Sequence, residues 1–409
     1  MRYKNLLFTA FLALLVNLSF AQSKLKAGTW RGALTNSSGN ELPFNFEVSN
    51  IAGKQQLAII NGAERFKVTD IKQKGDSVFI HMPLFNSEFK LKYEGSALKG
   101  KWIKHLGDKD ALMDFTAVAG ETRRFLSAEK PAFNITGRWS AVFGEGEHKD
   151  TTVGEFKQVG SKLTGTFLTT TGDDRFLEGT VSGNKLYLST FDGGHAFLFT
   201  ADIKDNNTIT NGKYYSGYSG LDPWTAIRNE KAKLPDAYSL TYLKKGYKKI
   251  DFSFPDINGK KVSLDDARFK NKVVIVQILG SWCPNCMDET SYLVNYYKKY
   301  HPKGVEIIGL AYERTTDFAK SVPTLKQLKT RFNIAYPLLI TGYTPNRGDP
   351  QKSLPMLADF KGFPTTIIID KKGDVRKIHT GFSGPGTGKY YTEFVSEFEK
   401  LTDDLLAEK

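Results

Sequence analysis

Apolar and polar positions are patterned in two ways along this chain, and the change falls near residue 250. From residue 24 to 230, short runs alternate apolar and polar residues and are broken by Gly and turn dipeptides, as in "KLTGTFLTTTGDDRFLEGTVSGNKLYLSTF". Alternation at period two predicts half-buried strands. Many short antiparallel strands predict a small barrel or sandwich. After residue 250 the runs change character. "VVIVQIL" (273–279) is continuously apolar, as in a strand buried on both faces. A helix is predicted from the cysteines to about Tyr300, then a strand at "VEIIGLAY", then a helix from about Asp317 to Phe332. "TTIIID" and "VRKIHT" are joined by "KKGD" as a hairpin, with Gly373 available for positive φ. An amphipathic helix covers Tyr390 to Leu406. This order predicts an α/β layer sandwich.

The first part also repeats. "AGTWRG" at 27–32 returns as "TGRWSA" at 136–141, "NGAERF" at 61–66 as "TGDDRF" at 171–176, "GDSVFI" at 75–80 as "GNKLYL" at 183–188, and "FTAV" at 115–118 as "WTAI" at 224–227. Four matches in one order predict two copies of one β-domain, at 22–125 and 132–230. The G-x-W near each start resembles the first strand of lipocalin-like and avidin-like barrels. A charged linker without a clear strand is read at 231–249, and the α/β domain at 250–409.

Residues 1–21 stand apart. Arg2 and Lys4 precede an apolar run from Leu6 to Phe20, and Ser19-Phe20-Ala21 is a small-residue cleavage site. The segment reads as a secretory signal peptide, cut after Ala21. Gln22 follows rather than Cys, so no lipid anchor is expected. Of the formal charge of +13, two units lie in this segment, and the rest is spread along the chain. A diffuse basic surface suits acidic envelope polymers better than nucleic acid, so no nucleic-acid partner is expected. The mature chain is expected to be soluble and periplasmic.

Export alters the meaning of the two cysteines, Cys283 and Cys286 in "GSWCPNC". An oxidising compartment permits stabilising disulfides, yet this pair closes only one turn. So short a loop constrains the unfolded chain little. Zinc needs further ligands at matching spacing, and the six histidines show no paired spacing, so no metal is expected. Haem attachment needs His after the second cysteine, where Met287 stands. Redox chemistry remains. Cys283 falls at a strand-to-helix junction, where free N–H groups and the helix dipole favour a thiolate. Cys283 is therefore the attacking thiol, expected to be exposed, and Cys286, one turn inside, the resolving thiol.

Residues 251–409 resemble the TlpA/ResA type of exported thioredoxin-fold thiol-disulfide oxidoreductases. The resemblance rests on "DFSFPDINGKKVSLDD", "NKVVIVQILGSWCPNC", Glu289 and "GFPTTIIIDKKGDV". It implies a redox-active Cys283–Cys286 disulfide, no cofactor, and a cis proline at Pro364 beside the cysteines. That proline exposes the backbone of Phe363 for pairing with an extended substrate chain. Trp282 is expected to shield the disulfide, and Trp282, Pro284, Phe363 and Pro364 to meet substrate. Glu289 has two readings, a buried acid moving protons for Cys286 or an exposed first-turn acid favoured by the dipole. Pro284-Asn285 leaves the direction of electron flow open. The loop 341–362 is read as a lid or docking loop. "SGPGTGK" (383–389) lacks the Gly and Ser/Thr of a phosphate loop and reads as a Gly-rich turn.

The expected function is a periplasmic disulfide reductase. Its expected partners are exported cysteine-containing proteins and a membrane or periplasmic electron donor. The alternatives are a peroxiredoxin-like thiol peroxidase and a ligand-binding β-protein with an accessory redox domain. The chemistry is expected to reside wholly in 250–409, with the β-repeats docking partners or orienting that domain.

Overall fold

A computed structural model describes residues 25–106, 109–127 and 129–408. The expected signal peptide lies outside the described residues. No described helix is long and apolar enough to cross a membrane.

The two β-repeats are barrel-like antiparallel meanders. In the first, Gly28–Thr35 pairs with both its successor Glu41–Ile51 and the last strand Asp110–Ala119. In the second, Gly137–Phe143 pairs with Asp150–Val159 and Gly220–Arg228. The second ring closes through pairing of Asp150–Val159 with Lys162–Thr169 and of the latter with Leu177–Ser182. The duplicated tryptophans do the same work in each copy. Trp30 and Trp139 are both buried, and each indole Nε1 donates to the carbonyl four residues before it, at Lys26 (2.8 Å) and Ile135 (2.9 Å). A buried indole N–H needs such a partner. Trp139, Phe167, Phe199 and Trp224 fill the second barrel with packed rings rather than a ligand space.

The C-terminal part holds a five-stranded sheet. Its order is Leu338–Ile340, Val305–Ala311, Val273–Leu279, Thr365–Ile369, Val375–Thr380. The first three run parallel. Thr365–Ile369 pairs antiparallel with Val273–Leu279, and Val375–Thr380 pairs antiparallel with Thr365–Ile369. All seven residues of Val273–Leu279 are buried, the polar Gln277 among them, as expected for a strand covered on both faces. The helices Pro284–Tyr300, Phe318–Phe332 and Lys389–Ala407 lie where the pattern places them. Asp317 starts the second, its carboxylate accepting the N–H groups of Ala319 and Lys320.

Two expectations are corrected. The linker contains a short strand, Tyr242–Leu243, paired with Leu357–Ala358 of the long loop. That loop is no free lid. Leu354, Met356 and Leu357 are buried, and Tyr242 Oη donates to Asp359 Oδ2 at 2.9 Å. A two-residue strand is too short for periodicity to reveal, and its partner lies more than a hundred residues away.

The barrels pack against each other and against the α/β domain. Phe191 of the second barrel stacks on Phe44 of the first at 4.4 Å between ring centres. Tyr390 of the last helix donates to Glu155 of the second barrel (2.8 Å), with Arg138 over its ring. Gln327 Nε2 donates to Met82 O of the first barrel at 3.0 Å.

Candidate active site

The buried strand Val273–Leu279 ends at Gly280, and three residues later Cys283 caps the helix Pro284–Tyr300. Pro284 suits the first helical position because its missing N–H has no partner to lose there. Cys283 and Cys286 form a disulfide with their Cα atoms 5.2 Å apart. The backbone N–H of Cys286 points at Cys283 Sγ, 3.2 Å away. That donor and the helix N-terminus are placed to favour negative charge on Cys283 Sγ.

Glu289, one turn on, is 1% exposed, which favours the buried acid over the exposed one. Thr366 Oγ1 donates to its Oε1 at 2.6 Å and Gln277 Nε2 to its Oε2 at 2.8 Å. The same Gln277 nitrogen lies 3.4 Å from the Cys286 carbonyl oxygen, so one buried amide ties the acid to the resolving cysteine. Burial pushes the Glu289 carboxyl up to about 7 against the opposing pull of its two donors. Gln277 is not among the residues that sequence reasoning singles out. Its only signal there is a polar residue inside an otherwise apolar strand.

The Phe363–Pro364 peptide is cis, as the resemblance implied. It immediately precedes the strand Thr365–Ile369, whose Thr365 pairs with Ile278, so it sits at the strand end that leads to the cysteines. Trp282 donates from Nε1 to Tyr312 O (2.8 Å), meets Phe363 edge-on at 5.3 Å and carries Arg314 over its ring. A cleft between the first barrel and the α/β domain runs along this side of Trp282, lined by Phe85, Lys104, Glu313 and Arg314.

The opposite flank departs from the sequence reading. Cys283 is 4% exposed rather than open. Residues 170–175 of the second barrel lie against the cysteine turn. Arg175 pairs with Asp288 (2.7 Å) and with Glu64 of the first barrel, and its Nη1 also donates to Pro284 O at 3.3 Å. Asp173 Oδ2 accepts the N–H of Gly384 at 2.7 Å. Burial pushes the Asp288 carboxyl up to about 7, although Arg175 pulls it down. The second repeat therefore packs against the cysteine turn, a contact that the sequence reading did not anticipate. The duplicated "TGDDRF" is visible in the sequence, but its destination is not.

Residues 244–393 match the protein-family model described as Redoxin. The thiol-disulfide oxidoreductase ResA of Bacillus subtilis (strain 168) is 28% identical over 131 residues, covering 32% of this chain and 64% of that protein. ResA of Bacillus thuringiensis subsp. konkukian (strain 97-27) is 34% identical over 125 residues, covering 31% of this chain and 63% of the relative. The chain thus spans just under two thirds of the length of these relatives. Among solved structures, a thiol:disulfide interchange protein of the thioredoxin family from Chlorobium tepidum TLS aligns at 23% identity. It covers 40% of this chain and 99% of its own, with a TM-score of 0.30.

Proposed function

We propose, from the premise that residues 244–393 are a Redoxin domain, that this chain is an exported thiol-disulfide oxidoreductase that reduces disulfides of other exported proteins. One observation carries the reading: a cysteine sulfur capping a helix, with the backbone of its partner cysteine tied through Gln277 to a buried acid. The Cys283 thiolate attacks one sulfur of a partner disulfide. That S–S bond breaks, a mixed disulfide forms, and the partner's other sulfur leaves as a thiolate. Cys286 then passes its proton to the Glu289 carboxylate and attacks Cys283 Sγ. The second partner thiolate leaves, takes up a proton, and the chain is left as the Cys283–Cys286 disulfide. Two electrons have moved to the partner, and an external dithiol donor restores the reduced state.

Two assays test this. The reduced chain is expected to reduce a protein disulfide, and Cys286→Ser is expected to accumulate mixed disulfides because the resolving step is lost. Peroxide consumption without disulfide reduction would make it a thiol peroxidase instead. The direction is tested by the reduction potential. A value near that of thioredoxin, about −270 mV, supports a reductase, and one near about −120 mV makes it an oxidant.

A further inference from the structure

The loop 170–175 of the second barrel lies in a seat cut for it in the redox domain. Three glycines of that domain leave space where the loop passes. A Cβ on Gly362, next to Phe363, would lie 2.5 Å from Thr171 Cγ2. One on Gly381 would lie 2.8 Å from the Thr171 carbonyl carbon, and one on Gly386 2.9 Å from that of Arg175. Real Cβ atoms do not approach backbone so closely, so any side chain at 381 or 386 would expel the loop. The loop is shaped in turn. Gly172, at φ +146°, is pressed against the Asn285 side chain between the two cysteines, where a Cβ would collide. Arg175 is held at φ +56°, a left-handed conformation costly for a residue with a Cβ. Gly384 and Gly386 belong to the Gly-rich turn that resembled a phosphate loop, and they are used here to receive another domain.

We propose that this loop is a displaceable cap on the redox centre, held by Arg175 as a latch between Glu64 and Asp288. This rests on the oxidoreductase reading and adds its regulation and the form of its partner. The cap lies against Gly362, beside the Phe363 backbone that an extended substrate chain would pair with, and over the turn that carries both cysteines. An extended cysteine-bearing polypeptide must take the place of residues 170–172 to reach Cys283.

The contact has the chemistry of something that opens. The barrel-to-barrel seam combines an aromatic cluster, Phe191 packed on Phe44, Phe89 and Trp102, with buried hydrogen bonds such as Asn61 Nδ2 to Phe191 O and Arg124 Nη1 to Ser189 O. The cap contact lacks such an aromatic cluster, and two buried atoms in it, Arg175 Nε of the cap and Asn285 Oδ1 of the cysteine turn, have no protein partner. An unmatched buried polar atom disfavours the closed state, and opening returns it to water. The charged latch fixes where the loop sits without adding apolar area that would seal it.

The test is the rate at which dithiothreitol reduces the Cys283–Cys286 disulfide of the full-length chain, followed by alkylation and mass spectrometry. This readout needs no enzymatic turnover, so it is independent of the oxidoreductase reading. That reading is judged separately, by whether wild type and variants reduce a protein disulfide at all. Gly386→Val removes the seat and Arg175→Ala removes the latch. Each is expected to raise the rate at least tenfold while far-ultraviolet circular dichroism is unchanged. Arg65→Ala, at the repeat-equivalent position away from the cysteines, is expected to leave it unchanged. If Arg175→Ala fails to fold, Gly386→Val decides, because it leaves both barrels untouched. Wild-type rates in the folded variants overturn the proposal, including the case in which the loop stays seated over the substituted turn.

Discussion

At the scale of single residues, a carboxyl with 1% of its surface exposed holds its proton more tightly than one in water. Glu289 ionises near 4.5 in the unfolded chain and near 7 in the fold. The fold therefore binds the extra proton between those values, and the stability linked to that proton is fully present below about 4.5. It is lost as pH rises toward about 7 and is constant above. A shift of this size corresponds to a loss on the order of 3 kcal/mol. Glu289→Gln is expected to flatten that segment of the pH–stability curve and, if the acid moves protons for Cys286, to slow exchange at pH 7 by about 100-fold. Urea unfolding and exchange kinetics from pH 4 to 8 measure both. An exchange profile that keeps its step near pH 7 in the variant would remove Glu289 from the mechanism.

At the scale of elements, local rules account for most of what forms. The helix Pro284–Tyr300 begins where a capping sulfur and a proline meet, and both are written in "WCPNC". The barrel strands follow period-two alternation, and their duplication is legible because both copies keep a Trp with the same job. Trp139 is fully buried, and its N–H is matched to Ile135 O. Trp139→Ala is expected to cost about 3–5 kcal/mol by urea unfolding, since it leaves a large cavity and an unpaired carbonyl. A loss under about 1 kcal/mol would mean that the barrel collapses around the gap. Leu338–Ile340 is not legible as a strand. Three apolar residues carry no period, and only pairing with Val305–Ala311 makes them one.

At the scale of the whole molecule, the interfaces decide behaviour. Phe191 lies 1% exposed between the barrels and touches three aromatic rings of the first. Phe191→Ala is expected to cost about 3–5 kcal/mol. It is also expected to uncouple the barrels, so that calorimetry resolves an extra transition at lower temperature. One unsplit transition with an unchanged midpoint would show that the barrels do not stabilise each other through this ring.

The sequence by itself determined the two β-repeats, the α/β layer and the cysteine pair at a helix start. Each of these follows from periodicity, spacing or capping within a few residues. The tertiary structure alone decided that Glu289 is buried, that Gln277 links it to Cys286 and that residues 170–175 lie over the cysteine turn. Arg175 meets Glu64 across 111 positions and Pro284 across 109. Hydrophobic periodicity reports how deeply a side chain is buried and on which face. It carries no term for which distant element supplies the covering surface, so pairings between domains wait on the packed fold.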